Sequence, residues 1–123
     1  IELQPIEVFD EVLASGDVLL AVIEQGAGRF SVPSKVLSYL CAARPIVLAA
    51  PNDNLAAEIL TSTGAGVVVR PDNIPGFVSA AIKYGRDSVS STKAGNSGRT
   101  YAEEHFPLAN VAARFEEIFK RAL

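Results

Sequence analysis

Lys35 is the side chain whose place in the sequence points most directly to binding chemistry. It lies in the first turn of a helix predicted from Pro33 onward and directly follows Ser34. The positive end of the helix dipole disfavours a cation there by roughly 0.3–1 kcal/mol, and a bound anion would offset that cost. Backbone amides, the Ser34 hydroxyl and the Lys35 ammonium could together hold a phosphate. Alternatively, Lys35 points to solvent, and the residues alone leave both interpretations open.

Two more polar residues belong to the same candidate site. Ser38 follows one turn after Lys35 on the same predicted helical face, where its hydroxyl could approach a ligand. Glu58 lies in the first turns of the next predicted helix, and its carboxylate could accept hydrogen bonds from a sugar hydroxyl. For both residues packing or exposure to solvent is the more common situation, because glutamate and serine are mostly exposed in folded proteins.

Several kinds of active site are excluded by residue type and spacing. Residues 26–28 read Gly-Ala-Gly but lack the third glycine of a dinucleotide fingerprint, and the Ser34-Lys35 pair lacks the glycines of a P-loop. The one histidine, His105, has no second ligand at a metal-binding spacing and no catalytic triad around it. Cys41 is the only cysteine, which excludes an internal disulfide, and we expect its side chain in the core.

The elements that must position these residues alternate between strand-length apolar runs and helical patterns. Residues 18–23, 45–49 and 67–69 are predicted to be strands, the first of them covered by helices on both faces. Between them lie a helix from Pro5 that a left-handed Gly16 would end, one from Pro33 and one capped within residues 52–54. The helix from Pro33 is expected to bury Val36, Leu37, Leu40 and Cys41, and the next one Leu55, Ile59 and Leu60. Helices follow at residues 74–86 and 101–106, with a loop or frayed helix at 88–97, and the last helix carries an apolar stripe.

This order predicts an α/β fold: a partial Rossmann-like parallel sheet of three to four strands flanked by helices, with extra C-terminal helices. The fourth strand would be the stub at residues 1–3. Ligands of such sheets bind beyond the carboxyl ends of the strands, which here are followed by residues 24–34, 50–54 and 70–73. Because a doubly wound sheet usually has five or six strands, we expect residues 1–123 to form one domain cut from a larger one.

Composition narrows the function classes. The chain has 123 residues, of which 49% are hydrophobic, so it is long and apolar enough for one folded domain. A net charge of −3 with scattered basic residues argues against binding to nucleic acid. No apolar run approaches the length of a membrane span, and no signal-peptide pattern is present. Together with the single cysteine, these features predict a cytoplasmic protein.

The segment at residues 31–47 resembles the donor-binding segment of bacterial retaining glycosyltransferases of family 4, which have the GT-B fold and build surface polysaccharides. The family's helix reads close to Pro-Ser-Lys-x-x-Glu-Tyr-x-Ala-x-Gly-x-Pro, and the chain has Pro33-Ser34-Lys35, Tyr39 and Pro45 at the matching places. Residues 17–20, 64–72, 99–106 and 113–116 are similar to flanking family segments, so the resemblance covers nearly the whole chain. The chain departs at Ser38, where the family often has a glutamate.

The resemblance implies the C-terminal nucleotide-sugar-binding domain of a glycosyltransferase, with the nucleotide sugar as substrate and with neither a cofactor nor a metal. Lys35 and Ser34 would face the donor phosphates. With Pro33, Ser38 and Glu58 they form the predicted donor-binding set, and no catalytic residue is assigned. The implied partners are an N-terminal domain of the same protein and a glycan or lipid-linked acceptor at the inner face of the membrane. The chain alone would be inactive.

Two further expectations concern partners. The cut sheet would leave an open edge and apolar surface, which predicts self-association. The alternative function is a non-catalytic α/β ligand-binding or protein-interaction module, in which the stripe containing Phe115 and Phe119 contacts a partner.

Overall fold

The computed structural model describes residues 4–26 and 29–122 and has the predicted α/β fold, a partial Rossmann-like parallel sheet with C-terminal helices. The predicted strand stub at residues 1–3 lies outside the described part. A short 3₁₀ helix, Ile6–Val8, comes first. The elements after it are α1 (Phe9–Ser15), β1 (Leu19–Val22), α2 (Ser34–Cys41), β2 (Ile46–Ala49), α3 (Leu55–Thr63), β3 (Gly66–Val69), α4 (Ile74–Arg86), α5 (Ser88–His105) and α6 (Leu108–Ala122).

The three strands found in the described ranges pair in parallel in the order β1-β2-β3. The middle strand, β2, is buried at all of its positions. Its alternate side chains Ile46 and Leu48 belong to the main core, together with Val36 and Leu40 of α2 and further residues of α3. Val47 points to the opposite face of the sheet, where α4 packs on β2 and β3. A strand buried on both faces explains the continuous apolar run.

The prediction that helices cover both faces of β1 is wrong. Leu19 and Ala21 are buried, whereas the alternate side chains Leu20 and Val22 are 47% and 59% exposed. The reason is position: β1 is at the edge of the described sheet, and α4 packs mainly on the other two strands. An apolar strip therefore lies on the surface beside β1.

The helices α2 and α3 do not bury all of the residues that were predicted to face the core. In α2, Val36 and Leu40 are fully buried, but Leu37 and Cys41 are exposed, so the core position expected for this cysteine is wrong. In α3 the two alanines that follow Leu55 are buried and Leu55 itself is exposed. Each helix packs on the sheet through one row of residues. The flanking positions, which were expected to be buried, are therefore exposed.

Two predicted helix details also differ. Gly16 ends α1 with φ −84° and ψ 139°, which is extended backbone and not a left-handed stop, because the chain runs on directly toward β1. The serine-rich stretch at 88–97 is part of the continuous helix α5, whose small residues Ala94, Gly95 and Gly98 are buried against the rest of the fold. Small side chains allow this close packing, and the packing compensates for the low helix propensity of the glycines and serines in α5.

The last helix, α6, follows Pro107 and packs lightly against α5. Its predicted apolar stripe is present, yet Leu108, Phe115 and Phe119 are 83%, 56% and 62% exposed. Within residues 4–26 and 29–122, no helix has both the length and the apolar character needed to cross a bilayer.

Candidate functional site

The starts of α2, α3 and α4 follow the carboxyl ends of the three parallel strands. Since these strands run in the same direction, their carboxyl ends meet at one edge of the sheet, and the connecting loops lie at that edge. The polar residues predicted to bind a ligand, Lys35 and Glu58 among them, are carried by the helices that begin there.

The start of α2 lacks a side-chain cap. Pro33 occupies the N-cap position with φ −64° and ψ 133°, and it provides no side-chain cap hydrogen bond to the first amides of this helix. By contrast, the helices α3, α4 and α5 are capped by the side chains of Asn54, Asn73 and Asp87. The first turn of α2 also contains no acidic residue. The positive end of the dipole is therefore not compensated by a side chain of its own first turn.

The three side chains of α2 that are predicted to bind the donor differ in their surroundings. Ser34 and Lys35 are exposed in the first turn. Ser38 is half-buried, and its hydroxyl donates a hydrogen bond to the Ser34 carbonyl oxygen at 3.4 Å, back along its own helix. Of the predicted donor-binding residues on this helix, Ser34 and Lys35 are thus the two that can meet a ligand at the helix start without rearrangement.

Asn54 joins the loop after β1 to the start of α3. Its side chain is fully buried; Nδ2 donates to the Ser31 carbonyl oxygen at 3.0 Å, and Oδ1 accepts from the Ala56 amide at 2.9 Å. The Leu55 amide donates to the Arg29 carbonyl oxygen at 2.9 Å in the same region. Because α2 begins only three residues after Ser31, these bonds hold the starts of α2 and α3 near each other. The sequence predicted a cap within residues 52–54, and it gave no indication of this tether.

Glu58 is paired with a residue that sequence reasoning missed. Its Oε1 lies 3.3 Å from Nη2 of Arg29, and both side chains are largely exposed. The Arg29 guanidinium also lies 5.8 Å from the centre of the Phe30 ring. The pair brings Glu58 to the loop that leads into α2 and adds a second cation to this edge. A single arginine in a polar loop carries no local signal that could have predicted the contact.

Arg70 and Asp72 form a two-bond ion pair after β3. The guanidinium donates to the two carboxylate oxygens at 3.0 and 2.7 Å. The hydrogen bond from Arg70 lowers the pKa of Asp72, and the same contact raises the pKa of Arg70. Both groups are exposed, so the pair is weak, but it engages the Arg70 charge locally. Lys35, in the uncapped first turn of α2, is therefore the better candidate for binding an anion at this edge.

The contacts of His105 indicate a structural role. The His105 ring stacks on Tyr101 with 4.1 Å between ring centres, and its Nδ1 lies 2.9 Å from the Tyr101 carbonyl oxygen. In the described ranges, no group of three or more His, Cys, Asp or Glu residues is placed to hold a metal ion. At the carboxyl edge, the first amides of α2, the Ser34 hydroxyl and the Lys35 ammonium are groups that can bind negative charge.

Comparison with known proteins adds no relative: no family model, curated protein or solved structure matches the chain.

Proposed function

We propose that the chain is the nucleotide-sugar-binding part of a retaining glycosyltransferase with the GT-B fold, and that it binds the donor diphosphate at the start of α2. One observation carries the proposal: the uncapped first turn of α2, with Ser34 and Lys35 exposed beside it, at the carboxyl edge of a parallel sheet. Helix-start amides and an ammonium stabilise phosphate charge. The resemblance of residues 31–47 to the family's donor-binding segment points to the same helix.

In this proposal each residue has a distinct role. Lys35 and Ser34 bind the diphosphate, whose negative charge increases as the sugar departs, and fixed donors stabilise that charge in the transition state. Pro33 fixes the backbone before the first helical amide. Glu58 accepts a hydrogen bond from a donor hydroxyl in place of its contact with Arg29, and Ser38 supports the Ser34 backbone through its own hydrogen bond.

In this proposal, the acceptor site is not formed by this chain. The acceptor, a glycan or a lipid-linked glycan at the cytoplasmic face of the membrane, binds to a further domain that forms the other wall of the cleft. The chain alone is therefore expected to bind a donor and not to transfer its sugar.

The experiment is a thermal-denaturation series with two nucleoside diphosphates and their matched nucleosides. Uridine and guanosine diphosphate are compared with uridine and guanosine, which lack the phosphates. A diphosphate present at 100 times its Kd adds about 2.7 kcal/mol to the free energy of unfolding, and the nucleoside is expected to add much less. Equal shifts with diphosphate and nucleoside, or none with either, would contradict a diphosphate site.

The exposed stripe of α6 favours a second candidate, a protein-interaction module. Phe115 and Phe119 stack with 6.5 Å between ring centres on the surface, in line with the exposed Leu108. Such a stripe is typical of a helix that packs against another element. If no nucleotide stabilises the chain, this function becomes the better account.

A further inference from the structure

A cavity of about 350 Å³ lies on the opposite, amino-terminal side of the sheet from the start of α2. Its walls come from the turn before β2, including Ala43 and Pro45, and from the junction of α4 with α5. The junction is fixed, because the Ser91 hydroxyl donates to the Tyr84 carbonyl oxygen at 2.5 Å. The volume is in the range of sites for small molecules.

Arg44 contributes a guanidinium to this cavity. Its Nη2 donates to the carbonyl oxygen of Ala14 at 2.6 Å, which fixes the head group against the end of α1. The Nε atom is buried and has no hydrogen-bond partner in residues 4–26 and 29–122. An oxyanion in the cavity cannot reach this enclosed atom, but it would balance the charge of the same guanidinium by accepting hydrogen bonds from its terminal N–H groups.

The other lining groups extend this donor set. Arg86 provides a second guanidinium from the end of α4, and Thr92 and Asn96 provide a hydroxyl and an amide from α5. Asp17 is the one acidic residue in the described lining, so the two guanidiniums leave an excess of one positive charge. Guanidinium groups bind planar carboxylates and phosphates with paired hydrogen bonds.

We propose that this cavity binds a small oxyanion, a phosphate or carboxylate group, whose oxygens accept hydrogen bonds from the terminal N–H groups of Arg44 and from the Arg86 guanidinium. The bound anion joins the end of α1, the start of β2 and the α4–α5 junction. The site is separate from the start of α2, and its existence does not depend on the nucleotide-sugar function.

The test is a calorimetric titration with inorganic phosphate, and in parallel with acetate, at constant ionic strength. It uses the Lys35→Ala chain, so that phosphate binding at α2 does not contribute. Saturable binding is expected, and Arg86→Gln is expected to weaken it by about ten-fold or more, because a charge-assisted hydrogen bond is lost. Arg121→Gln, which removes the same charge from the exposed face of α6, is the matched control and should leave the affinity unchanged.

Two further readouts complete the test. The amide chemical shifts of Thr92 and Asn96 should move on titration. Comparison of the affinities for acetate and phosphate shows which oxyanion the cavity prefers. Arg44→Gln should weaken binding as well; if the loss of its contact with Ala14 prevents folding, Arg86→Gln decides. The absence of saturation with both anions, or an affinity unaffected by Arg86→Gln, would overturn the proposal. Neither result bears on nucleotide binding at α2, which is measured separately.

Discussion

Gly95 of α5 lies directly against the backbone of Ala43. A Cβ atom built on Gly95 would be 2.3 Å from the Ala43 carbonyl oxygen, far inside contact distance. Ala43 itself has a left-handed backbone with φ 53°, in the turn between α2 and β2. The helix can approach this turn so closely only where it has no side chain. The contact holds α5 over the end of the helix that carries Lys35.

Replacement of Gly95 with alanine should therefore destabilise the fold. The added methyl group meets backbone, which cannot turn away, so the free energy of unfolding is expected to fall by about 1–3 kcal/mol or more. Gly85→Ala in α4 is the matched control, since nothing lies within 4 Å of its added Cβ. That variant should gain about 0.5–1 kcal/mol from helix propensity. Urea denaturation measures both, and equal stabilities would contradict the close approach.

The buried amide of Asn54 gives a second prediction. Asn54→Ala removes the cap of α3 and leaves the Ser31 carbonyl without its donor, which should cost about 2–4 kcal/mol when the two losses are added. Asn73→Ala removes an equivalent cap from α4 at an exposed position and should cost about 1 kcal/mol. Chemical denaturation of the pair checks the difference. Similar losses would mean that the tether to Ser31 contributes little.

The cap of α5 makes stability depend on pH. Hydrogen bonds from the Ser90 side chain and amide lower the pKa of Asp87 below its ordinary value of 3.8. The unfolded chain then binds the proton more readily, so the contribution of Asp87 is present above the unfolded pKa and is lost as pH falls through the folded pKa. The stability difference between wild type and Asp87→Asn should be larger at about pH 7 than at about pH 2. A difference that does not change with pH would contradict this account.

The position of β1 at the edge of the described sheet predicts self-association. Leu20 and Val22 are exposed there, and the short strand Leu19–Val22 contains neither proline nor a charged residue to block pairing. Sedimentation velocity should show association that increases with concentration. Val22→Lys should reduce it, while Val89→Lys, a substitution at another exposed valine in α5, should not. A monomer at every concentration would show that this edge does not attract a second copy.

Local patterns were sufficient for the order of the elements and insufficient for the contacts between them. The apolar runs containing Ile46–Ala49 and Gly66–Val69 are both strands, although only the first is buried at every position. Helical periodicity around them predicts the rest. Which residues lie inside depends on neighbours: the helical pattern predicts Cys41 in the core, yet its side chain is exposed.

The candidate site shows the same division. The start of α2 with Lys35 could be predicted because helix polarity is a local property. The Arg29–Glu58 pair and the Asn54–Ser31 bond join residues more than 20 positions apart, so they follow only from the packing of the loop on α3. The buried Nε of Arg44, which has no hydrogen-bond partner within the described ranges, has no signature in the sequence.

The central claim is that the first turn of α2 binds the diphosphate of a nucleotide sugar. Its most direct test is a calorimetric titration of uridine and guanosine diphosphate into wild type, Lys35→Ala and the control Lys120→Ala, which removes another exposed ammonium, from α6. The account predicts that Lys35→Ala weakens the affinity by about ten-fold and that Lys120→Ala leaves it unchanged. Equal affinities for all three proteins would contradict it.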